Sequence, residues 1–242
     1  MITGVAFCPH PPVLVPEVAG TAASELDALR GACRTAIQRV SVPGVRIVVV
    51  GSGDRNAAFP ANARGSLHGY GVPIEVPLGS EEPGLLDLPL SLTIGAWLLR
   101  DALGPNSGAI GRSVRPEGPD LPPFHDDVPT ALLVMGDGSA RRSEKAPGYL
   151  DRRAAGFDAG IASALACGDG SELHDVYDAG SGQLIRIDDS HTSLGCQLLA
   201  SGIHVWAAAA SLIEAQFWDA ELLYDAAPYG VGYFVAAWTQ RG

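Results

Sequence analysis

Four apolar runs of this chain each lead into a side chain that can bind a metal ion or move a proton. The first run leads into His10, and the other three lead into Asp54, Asp137 and Asp225. Imidazole nitrogens and carboxylate oxygens are common ligands of divalent metals, and both groups serve as general acids or bases. The chemistry that these residues could support is therefore metal binding or proton transfer, provided that the fold brings them together.

His10 lies in the segment Cys8-Pro9-His10-Pro11-Pro12, where prolines fix the backbone on both sides. This rigidity suits a preorganised ligand, and the alternative is a histidine in a surface turn. The remaining histidines add no support, because they form no HxH or HxxxH pair. They are His68, His125, His174, His191 and His204.

The elements that must position these residues follow from the hydrophobic pattern. Continuous apolar runs such as Thr130–Met135 are typical of strands covered on both faces, and 3.6-residue spacing predicts helices between them. We therefore expect an α/β fold, with a mostly parallel or mixed central sheet and helices on both faces, in a single domain over 1–242. The predicted strands are Ile2–Phe7, Arg46–Val50, Pro73–Val76, Ala109–Arg112, Thr130–Met135, Ala220–Tyr224 and Gly232–Trp238. The predicted helices are Ser24–Val40 (with Ser24 as N-cap), Leu88–Leu103, a helix capped by Asp151, Ser171–Tyr177, Thr192–Ser201 and Ile203–Glu214.

In an open α/β sheet, ligands bind in the crevice outside the carboxyl ends of the strands. If the strands are parallel neighbours, the polar residues that follow them rim one pocket. An aspartate after a strand is otherwise a turn former or a helix cap. The residues expected at the pocket are His10, Ser52, Asp54, Asp137, Ser139 and Asp225.

Two glycine loops follow strands, Gly51–Asp54 and Gly136–Ser139. They could cradle a phosphate, although neither matches GxGxxG or the GK[ST] ending of a P-loop. The absence of a GxSxG elbow gives no support to an α/β-hydrolase triad. A hydrolase or phosphate-binding protein that uses Asp54 and Asp137 is the weakest of the readings.

Composition limits the partners. The net charge of -11 is spread along the 242 residues, which favours solubility and gives no basic patch for nucleic acid. No signal peptide or membrane-length apolar run is found, so a cytoplasmic protein is expected. The four cysteines form no CxxC pair and are expected to be reduced thiols. The helix predicted over 203–214 is apolar on several sides, which fits either burial or a homo-oligomer.

Three blocks of the sequence resemble the LigB-like family, which comprises the catalytic subunits of class III extradiol ring-cleavage dioxygenases and the related Memo-like proteins. Residues 7–17 (FCPHPPVLVPE) resemble the start of that family. Residues 135–142 (MGDGSARR) resemble its GD-x-SH-R block, and residues 223–233 (LYDAAPYGVGY) resemble its YE-x-PFGVGY block. The order and spacing agree along nearly the whole chain, and the C-terminal block is the most specific.

The resemblance implies an iron(II) ion held by two histidines and a carboxylate, with open positions for a catecholate and dioxygen. It also implies a further histidine that acts as acid and base on the substrate hydroxyl. His10 matches the first histidine ligand, and Asp225 matches the carboxylate, which is usually a longer Glu. The second histidine is missing from Gly51–Asp54, and Ala140 stands where the acid/base histidine should follow Ser139.

Two main readings remain. One is a divergent extradiol dioxygenase-like oxidoreductase with a degenerate site for Fe(II) or another divalent metal; carboxylate ligands would shift its preference toward magnesium. His68 or His125 could reach this site from a loop. The other is a non-catalytic protein of the same fold, which binds either a partner or a small molecule and needs no metal. The resemblance implies that such a small molecule would be aromatic. Neither reading identifies a catalytic residue.

Overall fold

The structure is a computed structural model, and it describes residues 1–116, 121–122, 124, 127–171, 193–213 and 217–241. Most of the predicted helix Ser171–Tyr177 lies outside these residues. So do three of the six histidines, which are His125, His174 and His191.

The strands begin and end close to the apolar runs of the sequence. Their bounds are β1 Ile2–Cys8, β2 Arg46–Ser52, β3 Ala57–Phe59, β4 Arg64–Ser66, β5 Glu75–Pro77, β6 Ile110–Val114, β7 Thr130–Met135, β8 Trp218–Ala226 and β9 Tyr233–Gln240. Seven of these described strands form one sheet in the order β3-β6-β2-β7-β1-β9-β8, and β4 and β5 form a separate two-stranded sheet.

The direction of the strands decides which polar residues can meet. β1, β7, β2 and β6 are parallel neighbours, so their carboxyl ends lie along one edge of the sheet. β9 runs antiparallel to β1, and β8 runs antiparallel to β9. As a result β8 points the same way as β1 but lies two strands away from it, about 10 Å at ordinary strand spacing.

Helices cover both faces of the sheet because successive strand residues point to opposite faces. The helix bounds are α1 Pro16–Ala19, α2 Asp27–Val40, α3 Leu90–Leu103, α4 Ala154–Cys167, α5 Leu194–Gln197 and α6 Ile203–Ile213. Val49 belongs to the core under α2 and α3, whereas Val48 and Val50 belong to the core under α4 and α6. The predicted α/β fold with a mixed central sheet is confirmed. Of the helices in the described ranges, none has the length and apolar character to cross a membrane.

Several boundaries differ from the sequence prediction. Ser24 does not cap a helix, because residues Gly20–Leu26 form a 3-10 helix that runs directly into α2. α5 covers only part of the predicted helix Thr192–Ser201. β8 continues past Tyr224, since its pairing with β9 extends to Ala226, and Asp225 therefore lies within the strand and not after it.

Gly95 shows how closely α3 packs on the sheet, and it gives a test of this packing. A Cβ atom at Gly95 would lie 2.6 Å from Cγ1 of Val49, whereas a Cβ at Gly31 of α2 would meet nothing within 4 Å. We expect Gly95→Ala to lower the free energy of unfolding by about 1–3 kcal/mol through overpacking. Gly31→Ala should raise it by up to about 1 kcal/mol, because alanine is the better helix former. Urea denaturation would measure both, and equal effects at the two sites would contradict the packing described here.

Candidate functional site

A pocket of about 590 Å³ opens at the carboxyl edge of the parallel strands. The residues that follow β1, β2 and β6 line one part of it, and the first turn of α3 forms one wall. The opposite wall comes from α5, the turn after it and the start of α6. The lining residues are His10, Ser52, Gly53, Asp54, Pro89, Leu90, Ser91, Val114, Pro116, Cys196, Leu199, Ala200, Ser201 and His204.

His10 is the most buried titratable residue of the pocket, with 7% of its surface exposed. Its backbone N–H donates a hydrogen bond of 2.8 Å to Oδ1 of Asp137, and its Nδ1 lies 3.7 Å from the same oxygen. Nδ1 is buried and has no hydrogen-bond partner within the described residues. Asp137 thus lies behind His10, where it fixes the turn, and it does not line the pocket itself.

Asp137 also holds the opposite wall. Its backbone carbonyl accepts a hydrogen bond of 2.9 Å from the N–H of Gly202, immediately before α6. The preceding residue must be small, because a Cβ at Gly136 would lie 2.7 Å from the Cα of Gly202. This contact fixes the start of α6, which carries His204, relative to the end of β7.

The electrostatics near Asp137 involve one buried phenol. Tyr233, at the start of β9, is 3% exposed. Burial raises the pKa of its hydroxyl, and the negative charge of Asp137 raises that pKa further. Tyr233 therefore stays protonated near neutral pH and remains able to donate a hydrogen bond.

The wall at α3 is fixed to the end of β2. Oγ of Ser91 donates a hydrogen bond of 2.6 Å to the backbone carbonyl of Ser52. The N–H of Gly53 donates one of 3.0 Å to the carbonyl of Val114, which ties the loop to β6. Asp54 follows in this loop and is exposed, so its carboxylate lies on the solvent side of the pocket lining.

Ser139 lies outside the pocket wall, in a buried network. Its N–H and its Oγ each donate a hydrogen bond of 2.8 Å to the carboxylate of Asp158, and Nη1 of Arg142 donates one of the same length. The N–H of Gly138 donates to the carbonyl of Gly232, and the N–H of Gly232 donates to the carbonyl of Ser139. These contacts join the two later blocks that resemble the LigB-like family, so Ser139 holds the loop in place.

Asp225 is exposed and does not line the pocket that contains His10. It lies on β8, at the edge of the sheet, opposite Phe234 of β9. The reason is topological, because β9 inserts between β1 and β8. The structure brings His10, Ser52 and Asp54 together around one pocket, but it does not bring Asp225 into that pocket.

Two positions that bear on the missing histidines, Ala140 and His68, do not line the pocket. Ala140 donates its N–H to the carbonyl of Leu198 at 2.9 Å and accepts a bond from Gly148. His68 is exposed, in the 3-10 helix His68–Tyr70 beside β4, and it does not line the pocket.

Two titratable residues of the pocket were not predicted from the sequence, Cys196 and His204. Sγ of Cys196 lies 3.8 Å from Nε2 of His204, within hydrogen-bonding distance for sulfur. The one signal available was the position of His204, a polar residue at the start of an otherwise apolar helix. Neither residue belongs to a spacing motif, because the contact joins two different helices.

The donor set of the described residues does not fit the iron centre that the resemblance implies. In those residues, no three His, Cys, Asp or Glu side chains are arranged to hold a metal ion. A facial triad needs three such ligands on one face of the ion. His10 has no second histidine at the end of β2, and the carboxylate expected at Asp225 lies outside the pocket wall.

Comparison with known proteins adds no family assignment: no family model matches the chain, and no curated protein matches it.

The role of Asp137 as an acceptor can be tested with two variants. Asp137→Ala removes the acceptor of the His10 N–H and should lower the free energy of unfolding by about 1–3 kcal/mol. Asp137→Asn keeps an oxygen that can accept this hydrogen bond, so it should lower the free energy of unfolding by less. Urea denaturation would compare the two variants, and equal losses would show that the hydrogen bond to His10 is not what Asp137 contributes.

The Asp158 network gives a second test of stability. Asp158→Ala leaves the guanidinium of Arg142 and the N–H of Ser139 without their carboxylate partner. It should lower the free energy of unfolding by about 3–5 kcal/mol. The control is Asp219→Ala, which breaks an ion pair with Arg241 whose side chains are 67% and 60% exposed. That variant should change the free energy of unfolding by less than about 1 kcal/mol. A small effect at Asp158, similar to that of the control, would refute the structural role of the network.

Proposed function

We propose that this chain binds a small molecule with an aromatic or similarly flat apolar body in the pocket around His10. In this proposal it is a divergent, non-catalytic relative of the extradiol dioxygenase subunits that does not build their iron centre. The observation that carries the proposal is a histidine fixed by Asp137 in a largely apolar pocket of about 590 Å³. Ligand sites of this kind typically enclose about 300–1,000 Å³ and have few polar groups.

The distribution of polarity in the pocket supports this ligand class. Leu90, Val114 and Leu199 supply apolar surface, while His10 supplies an imidazole. Contact with the three apolar side chains stabilises a bound apolar ring. A hydroxyl or carbonyl group on that ring can form a hydrogen bond with the imidazole. The pocket therefore suits a molecule with an apolar body and a polar group at one end.

The charge of the lining disfavours the phosphate alternative. The lining contains neither lysine nor arginine among the described residues, and Asp54 adds a carboxylate. Phosphate groups are usually held by arginine or lysine, or by backbone N–H groups at a glycine loop. A nucleotide or phosphate ester would meet a negative group here without a neutralising cation.

Metal-dependent ring cleavage is the second candidate, and the pairing of His10 with Asp137 favours it. Histidines that bind metals usually donate their other ring N–H to a carboxylate, and Nδ1 of His10 lies 3.7 Å from Oδ1 of Asp137. On this reading a ring-cleaving site would need ligands beyond the donor set described above.

Ligand binding can be tested by isothermal titration calorimetry with phenol, catechol and benzoate, and with cyclohexanol as a non-aromatic comparison. We expect at least one aromatic compound to bind, and Leu90→Asp to weaken its affinity about tenfold or more, since it removes apolar contact from the wall. An aspartate at the first position of α3 is compatible with the helix dipole, so the variant should fold. Leu85→Asp is the control, because Leu85 is 76% exposed and lies outside the pocket.

Oxygen uptake separates the two candidates. Protein incubated with Fe(II) under anaerobic conditions and then mixed with catechols and dioxygen should consume no oxygen above the protein-free rate. Oxygen uptake that His10→Ala abolishes would refute the non-catalytic proposal in favour of ring cleavage. Absence of binding by every aromatic compound, or equal affinity in wild type and Leu90→Asp, would contradict the assigned pocket.

A further inference from the structure

The pocket contains a thiol and an imidazole in contact. Sγ of Cys196 lies 3.8 Å from Nε2 of His204, and both residues line the pocket. A cysteine within reach of a histidine is the arrangement that activates thiols for nucleophilic attack, because the imidazole can accept the thiol proton. This pair plays no part in the binding role proposed above.

Backbone contacts hold the two residues in position. The N–H of Cys196 donates a hydrogen bond of 3.3 Å to Oγ of Ser193 at the start of α5. Gly195 allows α5 to approach α6 closely, since a Cβ there would lie 2.6 Å from Cδ1 of Ile203. The start of α6 is itself bonded to Asp137 through Gly202. The thiol and the imidazole are therefore placed by the same framework that fixes His10.

We propose that Cys196 is a nucleophile, with His204 as its base, and that it forms a reversible covalent bond with a carbonyl carbon of the bound molecule. This inference rests on the proposed function and deepens it, because it names the ligand class as small apolar aldehydes or ketones, aromatic ones foremost. It uses the lining of the pocket and requires no metal ion.

The step is balanced without an oxidant or reductant. The proton of the Cys196 thiol passes to Nε2 of His204, in the tautomer that carries its own proton on Nδ1. Sγ then forms a bond to the carbonyl carbon, and the π bond between carbon and oxygen breaks. The imidazolium returns the proton to that oxygen, so the product is a neutral hemithioacetal and both side chains keep their net charge.

The other three cysteines provide internal controls. Cys8 and Cys33 are buried, and burial raises the pKa of the Cys8 thiol well above its usual value. Cys167 is exposed at the end of α4, where its thiol donates to the carbonyl of Ala164 at 3.2 Å. Since Cys167 is the more accessible thiol, exposure alone predicts that it reacts faster than Cys196.

The first experiment measures the rate of alkylation of each cysteine by iodoacetamide near neutral pH, by peptide mass spectrometry. We expect Cys196 to react faster than Cys167 despite its lower exposure. His204→Asn and His204→Gln should each slow Cys196 about tenfold or more. The buried thiols of Cys8 and Cys33 should stay unreactive in the same molecules, which shows that the variants are folded, and the rate of Cys167 should not change. Faster reaction of Cys167, or an unchanged rate of Cys196 in both variants, would overturn the inference.

The second experiment uses benzaldehyde that is isotopically labelled at its carbonyl carbon. We expect the NMR signal of that carbon to move from the carbonyl region to the region of a tetrahedral carbon on binding to the wild type and to Cys167→Ser, but not to Cys196→Ser. An aldehyde that competes with phenol yet keeps its carbonyl signal would overturn the covalent step and leave the proposed function standing. Cys196 could also react fast in a His204-dependent way while no aromatic compound binds noncovalently. That result would support Cys196 as a nucleophile and contradict the proposed binding function.

Discussion

The pocket depends on Asp137, which follows the central strand β7. Its carboxylate accepts the N–H of His10 from the turn after β1, and its carbonyl accepts the N–H of Gly202 before α6. One residue thus bonds to both sides of the crevice. A carboxylate binds an N–H more strongly than a neutral acceptor does. A peptide carbonyl that is buried away from water is destabilising unless it accepts a hydrogen bond. The wall that carries Cys196 and His204 is positioned through the same residue.

Two sequence blocks that resemble the LigB-like family serve to assemble this framework. The loop Gly136–Ser139 and the segment Gly230–Gly232 exchange backbone hydrogen bonds, and Asp158 closes the network from α4. These contacts need glycine or a buried carboxylate, but they need no acid/base histidine. Ala140 joins this framework through its backbone, since its N–H donates to the carbonyl of Leu198 and its carbonyl accepts from the N–H of Gly148.

The chemistry of the pocket comes from residues far apart in the chain. His10 follows β1, whereas Cys196 lies in α5 and His204 lies in α6, nearly 190 positions later in the chain at the nearest. The imidazole of His10, a residue whose backbone N–H is bonded to the carboxylate of Asp137, lines the same pocket as the thiol of Cys196, which contacts the imidazole of His204. The apolar surface from Leu90 and Val114 lowers the local polarity, which strengthens hydrogen bonds in that space.

The sequence by itself determined seven of the nine described strands, the four longest described helices and the place of His10 in a turn after the first strand, because apolar runs, 3.6-residue periodicity and prolines are local properties. It could not determine the order of the strands. Asp225 follows an apolar run just as Asp137 does, yet the antiparallel insertion of β9 moves β8 to the edge of the sheet. Nor could it pair Cys196 with His204, since the approach of one helix to another depends on packing at glycines and not on spacing along the chain. Only the tertiary structure decided which polar residues share a pocket.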